Sequence, residues 1–203
     1  KLLMTQILEL IKLLGLGIVS LILLHGTMDQ YEKHRNFLQK IKNVKSEYSQ
    51  ESFEANVPDD FILTIATAET GNFNFKGADT ARRANNFFGI QAIDDDPFIL
   101  SQDPNKKAKV RTFNSPEDSI KGFLELMKTG SSYEGIRESI AKGDSTINYF
   151  DSLSKYAEKS DYPEFLKDIY ITKILDFMNP KNDMNKLMLP TRKPMKSQMN
   201  NLK

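Results

Sequence analysis

The chain has 203 residues with 39% hydrophobic and 27% charged content, enough to build one packed domain with appendages. Its 28 basic and 27 acidic residues give a net charge of +1, which argues against a dedicated nucleic-acid binder. With no Cys and only two His, there is no thiolate nucleophile, disulfide framework, His-based triad or multi-His metal site. Chemistry is left to carboxylates, hydroxyls, amides and Tyr, and no metal or cofactor is called for.

In chain order, residues 13–24 (LLGLGIVSLILL) form an uninterrupted apolar run. The run is shorter than the roughly 20 residues of a spanning helix, yet counted from Leu2 it is long enough. No small-x-small cleavage signal precedes Asp29, so residues 1–26 read as an uncleaved membrane anchor with the remainder exported, periplasmic or extracellular. A buried core helix is the alternative. Over 27–56, Phe37, Ile41, Val44 and Tyr48 make one apolar stripe, which fits either a stalk or the first helix of the domain. From residue 179 the chain is basic, contains Pro and lacks periodicity, and reads as a flexible tail over 179–203.

Residues 57–178 read as a mainly α domain with a small β-hairpin lobe. Pro58-Asp59-Asp60 opens a helix that Gly71 ends. Ser115-Pro116-Glu117-Asp118 is an N-cap followed by a helix with Ile120, Phe123, Leu124 and Met127 on one face. Shorter helices are expected over Tyr133–Lys142 and around Ile147, Phe150 and Leu153. Pro163 opens a last helix with Leu166, Ile169, Tyr170, Ile174 and Phe177 inward. Gly89–Ile93 and Val110–Phe113 are expected to pair as the hairpin, joined by a loop that is acidic first and basic after.

At 100° per residue, Glu69 falls on the apolar face set by Ile62, Ile65 and Ala66, with Thr64 and Thr67 on the other side. Burial and the negative end of the helix dipole both disfavour its charged form, as a general acid requires. Spacing alone is better served by a frayed helix end, with Glu69 paired to Arg82 or Arg83.

Four blocks then occur in order: Val57-Pro58; Ala66 through Gly71 (Ala-Thr-Ala-Glu-Thr-Gly); Asn85-Asn86-Phe87-Phe88-Gly89; and Val110 to Ser119, followed by Lys155-Tyr156-Ala157 and Tyr162-Pro163. This pattern resembles the glucosaminidases of the Bax type and of glycoside hydrolase family 73. Asn72-Phe73 stand where that family commonly has Trp-Gly, and the spacer to Asn85 is longer.

The resemblance implies a lysozyme-like α+β fold and an endo-β-N-acetylglucosaminidase acting on β-1,4 bonds of N-acetylglucosamine-containing glycans such as peptidoglycan. It implies Glu69 as catalytic acid, with Tyr156 beside it. Asn86, Phe87 and Gly89 would shape a sugar groove, with Phe73 on its altered rim. A second carboxylate would come from the acidic loop, Asp95 or Asp96, unless the 2-acetamido group of the substrate replaces it. Two alternatives stand beside it: a lytic transglycosylase, which uses a similar lone Glu but is disfavoured by the Asn85–Gly89 and Tyr156 blocks, and a wall-binding scaffold that keeps the fold without catalysis, which the altered rim after Gly71 and the absence of Trp allow.

Overall fold

The structure is a computed structural model that describes residues 27–75, 78–101, 108–155 and 161–179. The anchor expected over 1–26, Tyr156 and nearly all of the expected tail lie outside these residues. Among the described residues no helix is long and apolar enough to cross a membrane.

The described elements are helix α1 (27–45), α2 (Phe53–Asn56), α3 (Asp59–Glu69), α4 (Asp79–Arg83), strands β1 (Phe98–Leu100) and β2 (Lys109–Arg111), then α5 (Pro116–Thr129). A 3₁₀ turn leads into α6 (Glu134–Lys142) and α7 (Thr146–Tyr149), and a second 3₁₀ stretch follows α7. The last helix runs as α8 (Tyr162–Ile169), a π turn (Tyr170–Ile174) and α9 (Leu175–Met178).

The α3 helix lies at the centre. Every residue from Phe61 to Thr67 is buried, so the helix has no solvated side. This corrects the expectation that Thr64 and Thr67 face away from the core. A buried threonine needs a partner for its hydroxyl, and these two use their own helix: Thr64 Oγ1 donates to the Asp60 carbonyl at 2.6 Å and Thr67 Oγ1 to the Leu63 carbonyl at 2.7 Å.

The α5 helix is one-faced, as its pattern predicts. Ile120, Phe123, Leu124 and Met127 are buried, and Ser115 Oγ accepts the Asp118 N–H at 3.0 Å as the N-cap. Phe123 stacks flat on Phe88, with ring centroids 4.2 Å apart. The final helix buries Leu166, Ile169, Tyr170 and Ile174. Its π turn sets the Tyr170 hydroxyl 3.0 Å from Asp60 Oδ2, where it donates, and Thr146 Oγ1 donates to the other oxygen of Asp60.

Phe37, Ile41 and Val44 of α1 are buried in the same core as α3 and α5. Lys45 Nζ bonds the Val57 carbonyl and Asp59 Oδ1, both at 2.6 Å, which fixes the start of α3 against the end of α1.

The hairpin is wider than expected: the segment at 90–92 does lie along β2, and Phe98–Leu100 joins it on the far edge. β2 pairs antiparallel with β1, placing Phe98 opposite Arg111, Ile99 opposite Val110 and Leu100 opposite Lys109. The segment at 90–92 lies along the other edge of β2 through a Gln91–Val110 bridge and the Arg111 N–H to the Ile90 carbonyl. β2 therefore has two neighbours, and the acidic residues 94–96 sit in the turn between them. Both flanking segments are short and β-competent, so the period-2 pattern does not choose between them.

Candidate active site

The chain reverses sharply where α3 ends. Thr70 caps the helix, its Oγ1 donating to the Ala66 carbonyl and accepting the Phe73 N–H. Gly71, Asn72, Phe73 and Phe75 all take positive φ, between 54° and 66°. Left-handed backbone costs a non-glycine residue about 1 kcal/mol or more, so this turn needs outside support. Two inward bonds, Asn72 N–H to Thr67 O and Phe75 N–H to Thr70 O, supply part of it. The α1 helix supplies the rest. Gln30 and Lys33 donate to Asn74 Oδ1, and the rings of His34 and Phe37 lie 5.5 and 5.0 Å from that of Phe73.

Glu69 projects from the last turn of α3, partly buried. Burial pushes its carboxyl above the ordinary glutamate value, and a hydrogen bond from Tyr162 pulls the other way. The Tyr162 hydroxyl donates to Oε1 at 2.5 Å. On the other side, Gly89 (φ +66°) lies so close that a Cβ there would stand 2.9 Å from Oε2. The carboxyl thus sits between a phenol and a bare stretch of backbone. Arg82 is bonded to Asp79 and is not the partner of Glu69.

The Asn85–Ile90 turn that carries Gly89 is built by Asn86. Its side chain is fully buried. Nδ2 donates to the Ile90 and Arg111 carbonyls at 2.7 and 2.9 Å, and Oδ1 accepts the Ile90 N–H at 3.0 Å. Both ends of the amide serve backbone, which corrects the expectation that Asn86 reaches a sugar.

Phe73 is likewise buried, beneath Phe37 and Phe87, and does not form the rim. Phe87 is half-buried and meets Phe75 edge-on at 5.6 Å, so these two rings keep partly open apolar surface beside the post-α3 turn. Asp95 is exposed in the hairpin turn. Asp96 closes that turn, accepting the Ile93 N–H at 3.2 Å and lying 3.4 Å from Arg111.

The sequence reading missed Tyr162 as a site residue. The signal was available: a tyrosine at the start of an apolar-faced helix buries its ring and must find a partner for its hydroxyl, and a buried carboxylate needs a donor.

A partly buried carboxyl held by one phenol and faced by a glycine is suited to giving up a proton, and the matching family is one of glycosidases. The model of that family, described as mannosyl-glycoprotein endo-beta-N-acetylglucosaminidase, matches residues 45–175. The chain belongs to the glucosaminidase family.

Among solved structures, this glucosaminidase is similar in fold to the glycoside hydrolase domain from Salmonella typhimurium FlgJ, at 19% identity and a TM-score of 0.51. The likeness covers 76% of this chain and 96% of that one. A type VI secretion system effector-immunity complex from Pseudomonas protegens also matches, at 20% identity and a TM-score of 0.45, over 71% of this chain and 93% of that one. No curated protein sequence matches significantly. The enzyme is therefore a glycosidase with a mainly helical fold and a two-stranded antiparallel hairpin.

Proposed function

We propose that this glucosaminidase is an endo-β-N-acetylglucosaminidase that cleaves β-1,4 bonds in peptidoglycan, with Glu69 as the general acid. The observation that carries the reading is the Glu69 carboxyl itself, raised in pKa by burial and bonded by Tyr162. A protonated Glu69 donates to the glycosidic oxygen as the bond from that oxygen to C1 breaks, leaving an oxocarbenium-like centre. The new carboxylate accepts a stronger hydrogen bond from Tyr162 than the neutral acid did. Tyr162 therefore favours the transition state over the ground state.

Water then attacks C1. Its proton goes to a hairpin carboxylate or, where the 2-acetamido oxygen has first closed on C1, to the Glu69 carboxylate as the C1–O bond of that ring breaks. Of the two hairpin acids, Asp95 is the freer, because Asp96 is engaged by Ile93 and Arg111. Phe87 and Phe75 offer an apolar face to the sugar. The apolar run at 13–24 and a peptidoglycan substrate support, as part of this proposal, an exported catalytic domain anchored by residues 1–26.

Mass spectrometry of fragments released from peptidoglycan by the full chain, beside its Glu69→Gln variant, tests the reading. Reducing-end N-acetylglucosamine, lost in the variant, is expected. Anhydro-muramyl ends would indicate a transglycosylase, and binding without release would leave a wall-binding module.

A further inference from the structure

The turn that presents Gly89 to the acid has a second neighbour. Asn86 and Ile90 of that turn bind the backbone of Arg111, whose side chain helps to line a separate, open-sided cleft of about 560 Å³. None of Glu69, Gly89 or Tyr162 lines this cleft. Its volume falls within the roughly 300–1,000 Å³ of ligand sites.

The chemistry of its walls narrows the ligand. Arg111 and Lys121 contribute two cations, and Asp118 and Glu125 two carboxylates. The charges cancel, which suits neither a polyanion nor a polycation. Both cations already lean on carboxylates outside the lining, Arg111 on Asp96 at 3.4 Å and Lys121 on Glu47 at 2.6 Å. No such pair engages Asp118 or Glu125 among the described residues. The spare capacity of the cleft is therefore for hydrogen-bond donors.

Two rings, Tyr48 and Phe113, supply apolar faces. Phe113 lies directly on α5 because residue 122 is glycine: a Cβ there would come within 2.6 Å of the ring. The Arg111 guanidinium covers the same ring at 5.2 Å. A neutral ligand rich in hydroxyl donors, with an amide and flat C–H faces, matches this lining. An N-acetylated sugar chain has all of these.

We propose that the cleft is a second, non-catalytic binding site for the N-acetylated glycan, one that keeps the enzyme on an insoluble strand between cuts at Glu69. This rests on the peptidoglycan reading above, and the two can fail separately.

The test uses the full chain carrying Glu69→Gln, titrated with an N-acetylglucosamine tetramer and followed by amide NMR. Two sets of shifts are expected, one around residues 69–75 and 87–89, the other at Lys121, Gly122 and Glu125. Glu125 is exposed, so Glu125→Ala leaves the fold intact. Losing one hydrogen bond there should weaken the second set about fivefold. In the background with Glu69 intact, Glu125→Ala should lower retention on insoluble peptidoglycan while hydrolysis of the soluble tetramer is unchanged.

Shifts confined to the surroundings of Glu69 would overturn the second site and leave the glycosidase reading standing. So would equal retention of Glu125→Ala and wild type. No shifts anywhere, with no reducing ends released by the wild type, would sink both.

Discussion

The hydroxyl of Tyr162 and the carboxyl of Glu69 are 93 residues apart in sequence and share one hydrogen bond of 2.5 Å. That bond favours the charged form of the acid, against the burial that disfavours it. Tyr162→Phe removes only the donor. Glu69 then holds its proton to higher pH, so the alkaline arm of kcat/KM is expected to move upward. The plateau should fall about ten- to a hundredfold, the worth of a hydrogen bond to a developing charge. A pH–rate profile measures both; an unmoved alkaline arm would mean that Tyr162 is packing alone.

Glu69→Gln should remove activity by about 10²–10⁴-fold, as loss of a general acid does. It should also stabilise the protein at neutral pH. A carboxyl whose folded pKa is raised makes stability fall as pH rises from the ordinary glutamate value through the folded one. Glutamine carries no such loss. Urea unfolding at pH 5 and pH 8 should show the variant gaining on wild type at the higher pH.

Gly89→Ala meets two obstacles at once. The backbone has φ +66°, and the new Cβ would stand 2.9 Å from Oε2. A left-handed alanine costs roughly 1–2 kcal/mol, and the carboxyl must be displaced as well. Thermal unfolding should show the stability loss, and kcat should fall further than stability explains, since the proton donor has moved.

His34 is buried between Phe73 and Phe177, and burial, helped by the charge of Lys173, lowers its pKa from 6.5 to about 4. The unfolded chain takes up a proton that the folded one refuses. Stability present above pH 6.5 is therefore lost as pH falls toward 4, by at most about 3 kcal/mol from this residue. Denaturation midpoints over pH 7 to 4 should decline less steeply in His34→Gln than in wild type. Parallel curves would show that other groups govern the acid limb.

The α3 and α5 helices were legible because each begins with a proline near its first turn and keeps a 3.6-residue apolar period. Glu69 stood out because a carboxylate on an apolar face breaks that period. The burial of Thr64 and Thr67 was not legible, since a threonine that satisfies its hydroxyl on its own helix looks polar in sequence and behaves as apolar in the core. Nor could sequence tell which way Asn86 turns: the same amide serves a sugar or three backbone groups equally well. The pairing of residues 90–92 with β2 is legible, but the second neighbour, Phe98–Leu100, is not, because it lies in what reads as a connecting loop. Tyr162 depended on a contact across nearly half the chain, which no local pattern encodes.

The family match begins at residue 45, yet Phe37 and Ile41 lie ahead of it and are buried, Phe37 with its ring 5.0 Å from that of Phe87. The recognisable stretch of sequence is thus smaller than the unit that folds. A chain trimmed to the match would lose the helix that braces the left-handed turn after Glu69, and with it the footing of the acid. A cut that keeps this helix whole falls no later than Thr27.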